Sequence, residues 1–346
     1  MWPFRSKTAA APEEMQEAIA NDASLPLASI LIRSMDRPTL QRALKSAARQ
    51  TWGNVEIVVI AACGRRHKPL PEQILGRPVR LIYPQPDRRL LRPEAANLAL
   101  ESARGEWLNF LDDDDELLPE HLATLLRAPR PAKERVVYST ARVDDAKGRP
   151  ISKVGAPVGP VQLYFHSRAV TCALAFHRSL VEDGVRFDPE FPVHEDHDFQ
   201  IACAARSGFA FVDAVTCVWN AQIGDSGCGF GANEDPELRV DATVRLRRKW
   251  QSVLERWLRK PDALMFAGQF YLRTGDLPPA RECLERALAL RPADGNALFL
   301  CGVANFQIGA LERAEMLLVK AQRRLPRHTG VRDNLVMVRA QLKEQP

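Results

Sequence analysis

The chain has 346 residues and a formal net charge of +5, from 48 Lys and Arg, 43 Asp and Glu and neutral His. That length allows two domains or one large one, and so mild a positive surplus gives no sign of a nucleic-acid partner. Seven cysteines are scattered with no Cys-x-x-Cys pair, which argues against a structural zinc site and for reduced thiols in the cytoplasm. The start, Met1-Trp2-Pro3-Phe4-Arg5, runs into an Ala-rich polar stretch without a long apolar core. Residues 1–24 therefore read as a flexible tail, neither a signal peptide nor a membrane span.

Residues 27–32 (Leu-Ala-Ser-Ile-Leu-Ile) read as a buried strand. Asp36 is placed as the N-cap of a helix that opens at Arg37-Pro38, carries Leu40, Ala43, Leu44 and Ala47 at helical spacing, and ends near residues 51–53. Residues 55–60 and 79–83 form two more apolar strands, residues 93–103 a helix, and residues 106–111 a fourth strand. The run Asp112-Asp113-Asp114-Asp115 follows, then a helix start over residues 116–121. Strand, helix, strand, strand, helix, strand with near-continuous apolar strands argues an α/β fold with a parallel sheet covered by helices on both faces.

Beyond residue 130 the pattern is less regular. Residues 136–139, 172–176 and 209–219 read as strands and residues 195–205 as a helix. The Gly-rich run at 224–231 either closes over a ligand or is a turn-rich connection. Residues 239–260 are basic, with Arg245, Arg247, Arg248, Lys249, Arg256, Arg259 and Lys260, and hold Trp250 and Trp257 on one helical face. A connecting helix that packs its tryptophans and solvates its arginines is the preferred reading over a helix lying on a membrane surface.

From residue 261 the texture changes. Gly268, Tyr271, Ala280, Leu284, Ala287 and Pro292 recur 34 residues later as Gly302, Asn305, Ala314, Leu318, Ala321 and Pro326. This resembles the tetratricopeptide repeat, whose paired helices have that period. It implies two repeats and a capping helix over 329–345, an all-α domain at 261–346 that docks a protein partner.

The four aspartates carry the chemistry. Consecutive carboxylates repel, and a divalent metal carrying phosphates would offset that repulsion. Hard oxygen ligands favour Mg²⁺ or Mn²⁺, and ligands on open α/β sheets bind beyond the carboxyl ends of strands. The plainer alternative is a solvated acidic turn that favours the next helix through its dipole. Residues 29–38, Leu44-Lys45-Ser46-Ala47-Ala48-Arg49-Gln50-Thr51, residues 55–60, residues 95–107 and Phe110-Leu111-Asp112-Asp113-Asp114-Asp115 stand in one order. His194-Glu195-Asp196-His197-Asp198 comes later. In this order and spacing the region 26–225 resembles the family 2 glycosyltransferases of the GT-A fold.

The resemblance implies transfer of a sugar from a nucleotide donor to a glycan or other hydroxyl acceptor, with inversion. Asp114 would ligate the metal. Asp112 would hold the donor ribose or the metal. Asp196 would be the base, with Glu195 second, and Arg33, Ser34, Asp36, Asn97 and Asp113 would line the nucleotide pocket. Two departures stand out. The pair of aspartates expected after the second strand is Ala61-Ala62, and Arg33-Ser34 replaces Pro-Thr. Base recognition is then expected from Asp36 or His67. The domains implied are a transferase over 25–238, a basic helix over 239–260 and the repeats, working in the cytoplasm with room for peripheral contact at the inner membrane face. Two rivals are a nucleotidyltransferase on a similar sheet and an inactive scaffold acting through its repeats. Plainer roles are also open at single positions: Glu195-Asp196 as a helix-end charge pair, Asn97 on a solvated helix face, and Cys63 and Cys228 as packing residues. His194 and His197, three apart, lack an evident third metal ligand.

Overall fold

Branched apolar residues set the centre of the fold. The structure, a computed structural model, describes residues 22–167, 169–221 and 236–344. β1 (Ala28–Ser34) and β2 (Val55–Ala61) are buried along their whole length, as strands covered on both faces must be. Between them α1 (Leu40–Ala48) turns Leu40, Ala43, Leu44 and Ala47 to the sheet. β3 (Gln73–Ile74) and β4 (Arg77–Ile82) follow, then α2 (Arg92–Ser102). The Glu94 carboxylate accepts the Leu91 N–H at 2.7 Å and fixes the start of α2. β5 (Trp107–Asp112) ends in the first aspartate of the run, and β6 (Glu116–Leu117) and α3 (His121–Arg127) come next.

The second half supplies β7 (Val136–Asp144), β8 (Pro150–Val154), α4 (Pro160–Phe165), β9 (Leu174–His177), α5 (Ser179–Glu182), α6 (Glu195–Ala204) and β10 (Phe209–Trp219). The sheet order is β3-β4-β2-β1-β5-β9-β7-β10-β6, with β8 on β7. β4, β2, β1 and β5 are parallel, whereas β9 runs antiparallel to both β5 and β7. The sheet is therefore mixed, not parallel throughout. One core, with Leu40, Leu44, Trp52, Leu122 and Leu125, lies on the α1 and α3 face, and another, with Leu100, Phe110, Phe187 and Phe199, lies on the α2 and α6 face.

Local departures from the sequence reading have local causes. Thr39, not Asp36, precedes the first helical residue, because Asp36 sits at φ 60 in the left-handed region. The helix expected from residue 116 begins only at His121, because Glu116 and Leu117 pair antiparallel with β10. Thr171–Ala173 form a 3-10 turn ahead of β9. The Gly-rich run at 224–231 lies outside the described residues, as does most of the expected tail.

α7 (Pro236–Trp257) is one long helix that packs Trp250 and Trp257 inward. Trp250 Nε1 donates to Asp198 on α6 at 2.7 Å, which ties the basic helix to the sheet domain. The tryptophans are thus packing residues, as a connecting helix requires. Among the described residues no helix is long and apolar enough to cross a membrane.

α8 (Pro261–Thr274), α9 (Leu277–Leu290), α10 (Gly295–Gln307), α11 (Leu311–Arg324) and α12 (Thr329–Glu344) follow as hairpins. A Cβ on Gly268 would lie 2.5 Å from Leu284 Cγ, and one on Gly302 would lie 2.8 Å from Leu318 Cγ. The same missing methyl lets each helix pair close at the same depth, so the 34-residue recurrence is a recurrence of packing. α4 joins the two parts: the rings of Phe165 and Phe270 pack tilted by 30° with centroids 4.2 Å apart, and the Tyr164 hydroxyl donates to the Arg247 carbonyl at 3.1 Å.

Candidate active site

The register of the sheet builds the floor of the site. Arg33, near the end of β1, lies beside Asp112, the end of β5. Its Nε donates to Asp112 at 3.0 Å and its Nη2 at 2.7 and 2.9 Å, while Nη1 donates to Glu195 at 3.1 Å. Burial works against the Arg33 charge, but Asp112 and Glu195 outweigh it and raise its pKa. Burial likewise works against the Asp112 carboxylate, and Arg33 holds it below the ordinary value.

The turn after β5 is pinned from several sides. Asp113 accepts the Met35 N–H at 2.8 Å and Arg37 Nη1 at 3.0 Å. Asp114 lies 3.3 Å from the same Arg37 nitrogen. Asp115 accepts the Asn220 N–H at 2.9 Å. Burial pushes Asp113 up, and burial with Asp114 and Asp112 beside it pushes Asp115 well up. Burial, then Asp112 and Asp113, raise Asp114 to about 6. Asp113, Asp114 and Asp115 are thus buried and engaged by Met35, Arg37 and Asn220, so the run is not a solvated acidic turn.

Two lobes open on this floor. One, of about 280 Å³, is bounded by Asp114, Thr171, Glu195, Asp196, Trp219 and Asn220, with Arg239 at its edge. The other, of about 300 Å³, is bounded by Met35, Arg37, Ala62, Arg89, Leu90 and Asp113. Arg33, Arg92, Asp112 and Asp114 border both. Asp114 is therefore placed to meet a ligand that extends from one lobe into the other.

The first turn of α6 forms the wall opposite the aspartates. Glu195 is buried, 3.1 Å from Arg33 and 3.5 Å from Arg92, and burial raises its pKa despite those two cations. Asp196 accepts the Thr171 hydroxyl at 3.4 Å and its neighbour's N–H, that of His197, at 2.7 Å. His194, just before the helix, sits at φ 63 in the left-handed region, and its pKa is lowered by burial.

Several expected donor contacts are placed differently. The Asn97 side chain donates to the Phe187 carbonyl at 2.8 Å and accepts the Phe187 N–H at 2.9 Å, so it closes a loop and borders neither lobe. Ser34 is buried, with its hydroxyl on the Asp36 N–H at 3.0 Å and on His67 Nε2 at 2.8 Å. Asp36 accepts the Lys68 N–H at 3.3 Å. His67 uses its other nitrogen on the Lys68 carbonyl at 2.7 Å. Ser34, Asp36 and His67 brace the loop behind the second lobe instead of lining it. His197 Nε2 meets the Leu163 carbonyl, which rules out a metal pair with His194 through that atom.

Residues that the sequence did not single out include Arg92, Thr171, Trp219 and Asn220. They stand at element ends, where no periodicity marks them. Among the described residues no three His, Cys, Asp or Glu side chains are disposed to hold a metal by themselves. The donor set fits a hard dication of the Mg²⁺ type all the same, since such an ion takes one or two carboxylates and completes its shell with phosphate oxygens and water. Asp114 and Asp112 offer that pair.

Residues 29–176 match the family model described as Glycosyl transferase family 2. An uncharacterized glycosyltransferase of Haemophilus influenzae is 30% identical over 100 residues, 29% of this chain and 33% of that protein. The succinoglycan biosynthesis protein ExoO of Rhizobium meliloti is 31% identical over 112 residues, 32% of this chain and 32% of that protein. The crystal structure of S. aureus TarS 1-349 in complex with UDP aligns at 14% identity and a TM-score of 0.46, covering 92% of this chain and 91% of that one. The matches span about a third of the length of each of these two curated relatives. The Glu195-Asp196 wall lies beyond the family match. The part of this chain that resembles Glycosyl transferase family 2 is thus the segment that supplies β1, β5 and the aspartate turn.

Proposed function

We propose that the chain is an inverting glycosyltransferase that moves a sugar from a nucleoside diphosphate donor to an acceptor hydroxyl, with Mg²⁺ or Mn²⁺ at the aspartates. The observation that carries this reading is the position of Asp114. It stands past the end of β5, borders both lobes and has a carboxyl raised to about 6 by burial and by its acidic neighbours. A dication with a diphosphate answers that crowding of carboxylates.

Asp114 would hold the ion, with Asp112 as the second carboxylate. The chemistry such an ion would supply there is neutralisation of the charge developing on the leaving diphosphate. Arg37 and Arg92 add positive charge at the same end of the cleft. Asp113 keeps Met35 and Arg37 in place and so shapes the donor lobe. Asp196 takes the proton of the acceptor hydroxyl as its oxygen bonds to the anomeric carbon and the bond to the diphosphate breaks on the opposite face. Glu195, buried between two arginines, is the poorer base of the pair. The α8–α11 hairpins are read as tetratricopeptide repeats that dock a protein partner.

The test is product identity. Incubation with a panel of nucleotide sugars, Mn²⁺ and candidate acceptors is expected to release a nucleoside diphosphate and a product of inverted anomeric configuration. Asp196→Asn is expected to lower turnover by about 10²–10⁴-fold with donor affinity retained. Release of pyrophosphate would favour a nucleotidyltransferase, and no turnover with any donor would favour a scaffold.

A further inference from the structure

Arg33 lies where the two sides of the cleft meet. Its guanidinium reaches Asp112, at the head of the aspartate turn, through Nε and Nη2, and Glu195, at the head of α6, through Nη1. The contacts are 2.7–3.1 Å and the side chain is 8% exposed. A planar fork of donors can satisfy two carboxylates in fixed directions at once, which a lysine ammonium cannot do in the same way. Arg33 borders both lobes, but Nε, Nη1 and Nη2 each donate to a protein carboxylate, so its hydrogen bonding is committed to the protein.

We propose that Arg33 is a positioning residue whose single guanidinium holds the Asp112 turn in register with the first turn of α6. The turn carries Asp114 on the donor side, and α6 carries Asp196 on the acceptor side. Other contacts pin each side separately, and Arg33 is the side chain that links Asp112 directly to Glu195. This rests on the glycosyltransferase reading for its kinetic consequence and on geometry alone for its consequence for stability. Displacement by about 1 Å in a reacting pair costs on the order of 100-fold in rate, so losing the register acts on transfer more than on binding. Water needs no alignment by α6, so donor hydrolysis survives better than transfer.

The kinetic experiment compares wild type, Arg33→Lys and Arg33→Met, measuring transfer and donor hydrolysis in the same reactions and donor affinity by calorimetry. Arg33→Met is expected to lose transfer by about 100-fold while the ratio of hydrolysis to transfer rises by about tenfold or more. Arg33→Lys should fall between the two. Parallel loss of hydrolysis, transfer and donor affinity would overturn the proposal, because a plain donor-binding cation behaves that way. Unchanged rates would overturn it too.

The second experiment needs no turnover. Melting temperatures are measured for Asp112→Asn, Glu195→Gln and the double variant, each with Arg33 present and in the Arg33→Met background. With Arg33 present, the double loss is expected to exceed the sum of the single losses, since it leaves a buried cation without a counter-charge. In the Arg33→Met background the two substitutions should act independently, their effects on melting simply adding, whatever their sign. Additivity in both backgrounds would overturn the proposal. If wild type transfers no sugar at all, the functional reading fails and the melting cycle still decides the role of Arg33.

Discussion

Asn220, just past the end of β10, closes the aspartate turn: its side-chain amide donates to the Asp114 carbonyl at 2.7 Å. Its backbone N–H reaches Asp115 at 2.9 Å. β10 therefore ends where the turn needs two donors. Asn220→Ala keeps the backbone contact and removes the amide, leaving the Asp114 carbonyl without that donor. The expected cost is about 1–2 kcal/mol of stability, read from denaturant melts, together with weaker metal-dependent donor binding. An unchanged midpoint would show that the amide is idle.

Asp114 makes stability depend on pH in a direction opposite to that of most salt-bridged carboxylates. Burial, with Asp112 and Asp113 beside it, raises its carboxyl from 3.8 to about 6. Between those values the folded chain holds a proton that the unfolded chain has released. Stability from this group therefore falls as pH rises through that window, and the penalty is fully present above about pH 6. Asp114→Asn removes the penalty. In chelator at about pH 7 the variant should be more stable than wild type by about 2 kcal/mol, with the gap closing toward about pH 4. Denaturant melts across that range check it, and a variant less stable than wild type at neutral pH would contradict the assignment.

Asn97 separates a structural role from a binding one. Both ends of its amide are engaged by the Phe187 backbone. Asn97→Ala is expected to cost about 1–3 kcal/mol of stability, because two buried backbone groups lose their partner. Donor affinity, measured by calorimetry on the folded fraction, should stay within about twofold, a difference of under about 0.5 kcal/mol. A large loss of affinity with unchanged stability would return Asn97 to the donor site.

Gly268 tests the hairpin packing. A methyl group there would meet Leu284 at 2.5 and 2.7 Å, so α8 and α9 must part or Leu284 must leave its rotamer. Gly268→Ala gains about 1 kcal/mol of helix propensity and is expected to lose about 1–3 kcal/mol to overpacking, a net destabilisation seen as a lower melting temperature of the helical signal. A stabilised variant would mean that the helices close less tightly than the contact distances imply.

Much of this was legible in the chain because it is repetitive or strongly apolar. β1, β2 and β5 are near-continuous apolar runs, α1 has its four apolar residues at helical spacing, and the repeats announce themselves by their glycines. The orientation of β9 was not legible, since four buried residues carry no direction; its pairing with β5 and β7 decides it. Nor was α4, six residues long, which tertiary packing against α7 and α8 holds in place. The aspartate cluster was visible as composition. Its partners were not: Asp112 meets Arg33 from 79 residues away, and Asn97 meets Phe187 from 90. Such pairings follow from strand register and loop closure, which composition does not contain. The donor roles of Asn97, Ser34 and Asp36 came from the family resemblance, which carries no information on these partners, and nothing in the sequence marked Asn220 or Arg92.

The most direct test of the central claim is calorimetric titration of nucleotide sugars into wild type and Asp114→Asn, with millimolar Mn²⁺ and again with chelator. The account predicts saturable uptake of at least one nucleotide sugar by wild type with Mn²⁺, strongly weakened by chelator and by Asp114→Asn. Uptake that is indifferent to both, or no uptake of any nucleotide sugar, would contradict it.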